Sequence, residues 1–157
     1  MINKMGVLRL LRRLAMTGAL LVVVVALFAA RYTPESYIEA FGPLARRIEC
    51  EYGIPATIVL AQAMLESGYG NSQAARLRNN HFGIDHGRRR YGSVEECYTS
   101  YALLLTGSAR YASLFEIPLW DYNGWAHGLQ RCGYAMDGRY AGKLVLLVER
   151  WIVHELH

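Results

Sequence analysis

One glutamate at the end of an apolar segment is the residue of this chain that is best placed for acid–base chemistry. Glu66 closely follows the run Ile58-Val59-Leu60-Ala61. Burial disfavours the ionised form of a carboxyl, so a glutamate in such surroundings must find a partner or keep its proton. A carboxyl that is protonated near neutral pH can act as a general acid. The alternative is a partly exposed glutamate at a helix end with no chemical role.

The element that positions Glu66 is a predicted helix. Pro55 suits the start of this helix, and Gly68 suits its C-cap. A spacing of four residues places Gln62 on the same helix face as Glu66. The two side chains are therefore expected to point in the same direction.

Helical spacing of apolar residues dominates the chain from residue 33 to the C-terminus. Thr33 and Pro34 begin a helix that Gly42-Pro43 is expected to interrupt and Gly53 to end. Later helices are expected at four places, which are 72–78, 93–105, 109–115 and 121–129, and a last helix follows from Tyr140 to Ile152. No segment shows a sustained alternating pattern. The prediction is a mainly α fold with at most a very short β-hairpin after Ile84.

The first 31 residues are predicted to be a membrane anchor. Cations at positions 4, 9, 12 and 13 precede the uncharged run 14–30, which as a helix would span about 26 Å. A cleavable signal peptide is the alternative, but Phe28 occupies a position where cleavage needs a small residue. The cation bias predicts an N-in orientation. A second region, 32–157, would then face the periplasm or the cell exterior.

Charge and cysteine content exclude several classes of function. The formal net charge is +4, but the acidic and basic residues after position 30 balance, which argues against nucleic-acid binding. The three cysteines are Cys50, Cys97 and Cys132; no C-x-x-C spacing occurs, and no metal site is predicted. A Cys97–Cys132 disulfide and unbridged buried thiols are both compatible with this count.

Four stretches in order resemble the glucosaminidase family of peptidoglycan hydrolases, the family of flagellar rod-associated hydrolases and autolysins. They are Tyr52-Gly53-Ile54-Pro55, the segment 61–70 that ends in Glu66-Ser67-Gly68-Tyr69-Gly70, Asn79-Asn80-His81-Phe82-Gly83-Ile84, and 125–144 with Gly133-Tyr134-Ala135. A helix that ends in Glu-Ser-Gly also occurs in lytic transglycosylases. All four stretches together are a more specific signature.

The resemblance implies a lysozyme-like helical fold with a sugar groove, and it assigns roles to individual residues. Glu66 would be the catalytic acid, and Tyr134 would face the cleaved sugar. The other expected substrate-binding residues are Gln62, Tyr69, Asn80, Phe82, Gly83, Tyr91 and Trp125. Of these, Tyr69, Tyr91 and Trp125 would stack on sugar rings. For these three residues and for Tyr134, a place in the core is the alternative.

The chain departs from the family pattern at the second carboxyl. Glycoside cleavage commonly uses two carboxyl groups, and many family members carry the second in a longer hairpin after the Phe-Gly-Ile motif. Here Asp85 is the only acidic residue between Ile84 and Tyr91, so Asp85 is the candidate. Glu95 lies just beyond, and Glu96 is expected to cap the next helix. An N-acetyl group of the substrate can also replace a protein nucleophile.

These observations predict a membrane-anchored endo-β-N-acetylglucosaminidase that acts on peptidoglycan glycan strands without a cofactor. A lytic transglycosylase of the same fold is the alternative within enzymes. A cell-wall-binding or assembly module with a decayed site is the alternative outside enzymes.

Overall fold

The computed structural model describes residues 31–155, and helices dominate them. In chain order the helices are α1 (Pro34–Tyr52), α2 (Ala56–Ser67), α3 (Gln73–Arg78), α4 (Val94–Thr106), a 3₁₀ helix (Ala109–Glu116), α5 (Tyr122–Arg131) and α6 (Tyr140–Leu147), which a π-helical turn (Val148–Ile152) extends. No β-strand occurs within residues 31–155. The prediction of a mainly α fold is confirmed for this part of the chain.

Helix α1 begins as the sequence predicts but is longer than expected. Thr33 and Ser36 form a reciprocal capping box, and Gly53 ends the helix in the left-handed conformation. The predicted interruption at Gly42-Pro43 is wrong, because α1 continues through both residues. Pro43 cannot donate to the carbonyl of Glu39. Glu39 is exposed, so water can take the place of that donor.

Helix α2 is the central element of the fold. All residues from Ile58 to Met64 are buried, the polar Gln62 included. The helix packs against α1, α5, α6 and the π-helical turn, which explains why its sequence is apolar on almost every side. Packing on several sides therefore fixes the position of α2, which carries Glu66 near its C-terminal end.

The end of α2 is also fixed by local hydrogen bonds. Gly68 adopts a left-handed conformation with φ 55°, as its predicted C-cap role requires. The Ser67 hydroxyl donates to the Ala63 carbonyl and accepts from the Gly70 N–H. Gly70 has φ 74°, and a Cβ there would lie 2.9 Å from the Tyr37 ring. Only glycine lets the chain pass Tyr37 at this distance.

The segment between α3 and α4 is a compact loop and not a hairpin. Asp85, His86 and Gly87 are three consecutive residues with positive φ, and they reverse the chain too tightly for a strand ladder. The Asn80 amide donates to the carbonyls of Ile84 and Arg89 and accepts from the Ile84 N–H. The short hairpin that the sequence allowed is therefore absent here, and a buried asparagine organises the loop instead.

All three cysteines are unbridged, since Cys50 is exposed, Cys97 is buried and Cys132 is half-buried. The alternative of unbridged thiols therefore applies, although only Cys97 is fully buried.

The predicted membrane anchor lies outside the described residues, which begin at residue 31. The residues from Tyr32 onward form one compact unit. Within residues 31–155 no helix combines the length and the apolar composition that a membrane span needs.

Candidate active site

Glu66 lies one residue before the end of α2 and is half-buried. Its Oε1 accepts a hydrogen bond of 3.1 Å from the Tyr140 hydroxyl at the start of α6. Its Oε2 lies beside Gly83, where an added Cβ would be 3.5 Å from this oxygen. One carboxyl oxygen is thus held by the protein, and the other faces a residue that has no side chain.

Burial raises the pKa of Glu66 above its ordinary value. The Tyr140 hydrogen bond and the positive charge of Lys143 act in the opposite direction and moderate the rise. A raised pKa increases the protonated fraction near neutral pH, which is the form that a general acid needs. The environment of Glu66 therefore suits proton donation.

A second layer of polar groups lies behind Glu66. Gln62 is fully buried, and its Nε2 donates to the Tyr140 hydroxyl at 2.9 Å. Its Oε1 accepts from the hydroxyl of Tyr101, which is also fully buried, on α4. Gln62 thus lies on the same face of α2 as Glu66, as predicted. Its carboxamide binds these two tyrosines, and the side chain has no exposed surface for the predicted contact with substrate.

Tyr134 lies in the segment between α5 and α6, close to the same network. Its ring is half-buried and stacks on Tyr140 with a centroid separation of 5.8 Å. Burial raises the pKa of Tyr134 well above its ordinary value, and the negative charge of Glu66 adds to the rise. Tyr134 therefore keeps its phenolic proton and can act as a hydrogen-bond donor near Glu66.

Asp85, the candidate for the second carboxyl, lies on the outside of the loop. Its side chain is 54% exposed and binds Arg88 at 2.8 Å. Within the described residues, the charge that shifts the pKa of Glu66 is that of Lys143 and not that of Asp85. The structure gives Asp85 a surface ion pair. Glu96 lies at the start of α4 as expected, but its side chain accepts from the Gly92 N–H, one residue before the N-cap Ser93, and does not complete a capping box.

Asn80 and Phe82 shape the loop from inside. Phe82 is buried and stacks on Tyr101 with centroids 4.0 Å apart and planes 8° from parallel. Asn80 is buried and bonded within the loop. These two residues hold Gly83 beside Glu66. Their side chains are buried, so they would shape a substrate groove by positioning Gly83 and not by touching the substrate.

The three predicted stacking residues are in different surroundings. Trp125 has no exposed surface, and Tyr91 is buried with its hydroxyl bonded to Ser100. A buried ring offers no face to a sugar, so both are core residues here, which is the alternative that the sequence left open. Tyr69 is half-buried with φ 58°, and it lines a cleft of about 340 Å³ together with Leu65 and Lys143.

Sequence reasoning missed the roles of Tyr140, Lys143 and Tyr101 around Glu66. In the sequence, Tyr140 only marks the start of the last predicted helix, and Tyr101 is one residue of the predicted helix 93–105. The spacing of three between Tyr140 and Lys143 places both on one helix face, but nothing in the sequence connects that face to Glu66. Within residues 31–155, no cluster of three or more His, Cys, Asp or Glu side chains is arranged to hold a metal ion.

A protein-family model matches most of the chain. The model of a glucosaminidase family, described as mannosyl-glycoprotein endo-beta-N-acetylglucosaminidase, matches residues 42–151. The matched segment contains Glu66 and the neighbours described above, which are Gly83, Tyr134, Tyr140 and Lys143.

Individual relatives and a solved structure agree with this match. The chain is 24% identical over 147 residues to the peptidoglycan hydrolase FlgJ of Vibrio parahaemolyticus, covering 75% of this chain and 47% of that protein. It is 26% identical over 148 residues to the exo-glucosaminidase LytG of Bacillus subtilis, covering 76% and 52%. The glycoside hydrolase domain of Salmonella typhimurium FlgJ superimposes with a TM-score of 0.64 at 26% identity, covering 78% of this chain and 91% of that domain. The chain spans about half the length of the two relatives.

Proposed function

Because this chain belongs to the glucosaminidase family of glycoside hydrolases, we propose that it is an endo-β-N-acetylglucosaminidase that cleaves peptidoglycan glycan strands. Glu66 is the general acid in this proposal. The substrate class is supported by the peptidoglycan hydrolases among its relatives. The resemblance that four motifs indicated in the sequence is thereby confirmed at the level of the family.

The observation that carries the proposal is the environment of the Glu66 carboxyl. Oε1 accepts from Tyr140, Oε2 faces Gly83, and burial raises the pKa of the group. A capping glutamate in water would have neither a fixed oxygen nor a raised pKa. This arrangement favours an acid that holds its proton on the oxygen beside Gly83, where no side chain of the protein intervenes.

In the proposed reaction Glu66 protonates the oxygen of the bond on the reducing side of N-acetylglucosamine. The bond from this oxygen to the sugar C1 breaks as the proton arrives, and the ring passes through an oxocarbenium-like state. The acetamido oxygen of the same sugar attacks C1 and forms a cyclic intermediate. The Glu66 carboxylate then takes a proton from the water that opens this intermediate, which restores the acid. Tyr134 donates a hydrogen bond to the sugar in this scheme.

Asp85→Asn tests whether the reaction needs a second protein carboxyl. Asparagine tolerates the left-handed conformation of Asp85, φ 54°, so the exchange removes the charge without straining the loop. Because the substrate supplies the nucleophile, we expect turnover to fall far less than the factor of about 100 or more that follows loss of a catalytic acid or base. Initial rates on purified peptidoglycan measure this, and a loss of that size would make Asp85 the second catalytic carboxyl.

A digest of purified peptidoglycan by the full-length protein in mild detergent tests the proposed function. Mass spectrometry of the products should find glycan fragments of several lengths that end in reducing N-acetylglucosamine. Release of single units from chain ends alone would indicate an exo-glucosaminidase, and 1,6-anhydromuramic ends would indicate a lytic transglycosylase. Binding to glycan strands without new reducing ends would instead support a wall-binding module. The wall-binding module is considered because Asp85, the candidate for the second carboxyl, is exposed and paired with Arg88.

We also propose that the first 31 residues anchor the enzyme, with the hydrolase region in the periplasm or outside the cell. The uncharged run 14–30 and the cations before it support this proposal. The protein should stay in the membrane fraction after washing with high salt, because salt removes only electrostatically bound proteins. Recovery of a shortened soluble form that starts near Arg31 would show a cleaved signal peptide instead.

A further inference from the structure

The polar groups behind Glu66 form an unbranched series of three hydrogen bonds. The Tyr101 hydroxyl donates to Gln62 Oε1, Gln62 Nε2 donates to the Tyr140 hydroxyl, and that hydroxyl donates to Glu66 Oε1. Tyr101 and Gln62 have no exposed surface, and Tyr140 is nearly as buried. Solvent therefore does not compete for these hydrogen bonds.

The chemistry of the carboxamide gives this series a direction. An amide oxygen can only accept and an amide nitrogen can only donate. With Tyr101 donating to Oε1, the Gln62 nitrogen must face Tyr140 and donate to it. The single proton of the Tyr140 hydroxyl is then left for Glu66. If Gln62 were turned over, Tyr140 would donate to Gln62, and Glu66 would have to donate its own proton to Tyr140.

We propose that Tyr101, Gln62 and Tyr140 are positioning residues, a directional relay that keeps Glu66 Oε1 an acceptor and so places the acidic proton on Oε2. Oε2 is the oxygen beside Gly83, on the side without a side chain. The relay determines which carboxyl oxygen can protonate a substrate. This inference rests on the proposed function, because the proton matters only if Glu66 is the acid.

The effect of the relay on Glu66 can be measured as a change in its pKa, and the groups that face Glu66 determine the direction of that change. Helix α6 contributes Tyr140 and Lys143, and the segment before it contributes Tyr134. The loop contributes Gly83, with the Asp85–Arg88 ion pair farther along. Removing the Tyr140 hydroxyl takes away a hydrogen bond that stabilises the carboxylate, so the pKa of Glu66 must rise. The other facing groups stay in place.

The first test is Tyr140→Phe in the full-length protein. The pKa of Glu66 is followed by carbon NMR of labelled glutamate carboxyls, with Glu66→Gln identifying the signal. We expect that pKa to rise, the alkaline limb of the kcat profile to move to higher pH by the same amount, and kcat to fall about 10- to 100-fold with little change in KM. Tyr98→Phe is the matched control, because it removes a buried hydroxyl whose partner is Tyr37 and not Glu66.

The second test is Tyr101→Phe, which alters a residue that contacts neither Glu66 nor solvent. In the relay its effect passes through Gln62 and Tyr140, so kcat should fall in the single variant. In the double variant with Tyr140→Phe, the loss should be no larger than with Tyr140→Phe alone. Should Tyr140→Phe not fold, Tyr101→Phe alone must still lower kcat and move the alkaline limb.

Three results would overturn the relay. They are an unchanged pKa of Glu66 in folded Tyr140→Phe, wild-type kcat and pH profile in folded Tyr101→Phe, and strictly additive losses in the double variant. The NMR titration needs no substrate. An inactive wild type would therefore contradict the proposed function, whereas an active wild type with one of these results would contradict the relay alone.

Discussion

Glu66→Gln is expected to lower turnover on purified peptidoglycan by about two to four orders of magnitude. This corresponds to about 3–5 kcal/mol of activation free energy. Glutamine keeps the size of the side chain and can still accept from Tyr140, but it has no acidic proton to give. In the wild type, activity should fall as the pH rises through the raised pKa of Glu66, because the acid then loses its proton.

The control for Glu66→Gln is Glu116→Gln, the same exchange at an exposed glutamate of the 3₁₀ helix. It should leave turnover unchanged. Thermal melts of both variants show whether each still folds. Near wild-type turnover in a folded Glu66→Gln protein would end the assignment of Glu66 as the acid.

Trp125→Ala is expected to lower the free energy of unfolding by about 3–5 kcal/mol, the usual cost of removing a buried aromatic side chain. Trp125 has no exposed surface, its ring meets Phe115 edge to face, and its indole N–H donates to the Ile117 carbonyl at 3.2 Å. Removal leaves a cavity between α5 and the 3₁₀ helix and an unpaired carbonyl. Denaturant unfolding followed by circular dichroism measures the loss.

Trp120→Ala is the matched control, because Trp120 is 80% exposed and lies only five residues away. Its removal should change the free energy of unfolding by no more than about 0.5 kcal/mol. If Trp125 were instead a sugar-stacking residue, Trp125→Ala would weaken glycan binding with a stability close to that of Trp120→Ala. That result would contradict the core role.

The sequence was sufficient to predict the elements whose signals are local. The apolar run before Glu66 and the glycine after it predicted α2 and its end, and the structure confirms both. The starts of α1, α3 and α5 were predicted at residues 33, 72 and 121 for the same reason, and Thr33, Ser72 and Asp121 cap these helices in the structure. A helix cap depends on a side chain and on the backbone two or three residues away, so it can be predicted without knowing the fold.

One local prediction failed where neighbouring elements override propensity. Pro43 costs α1 a hydrogen bond, yet Leu44, Ala45 and Ile48 are buried in the continued helix, and burial of apolar side chains outweighs one lost bond. The sequence allowed a very short hairpin after Ile84 without requiring one, and the hydrogen bonds of buried Asn80 close the loop on itself instead.

The sequence by itself was enough to single out Glu66 as the candidate acid and to predict the helix that carries it, because a single carboxyl at the end of an apolar run can be recognised from its neighbours in the sequence. Only the tertiary structure decided what surrounds that acid. Tyr140 is 74 residues from Glu66 along the chain and Tyr101 is 39 from Gln62, and both look like ordinary core tyrosines of amphipathic helices. Whether a buried hydroxyl points at a carboxyl or at another core group depends on where the fold places α4 and α6 relative to α2. Packing of that kind is set by many weak contacts distributed over the whole chain.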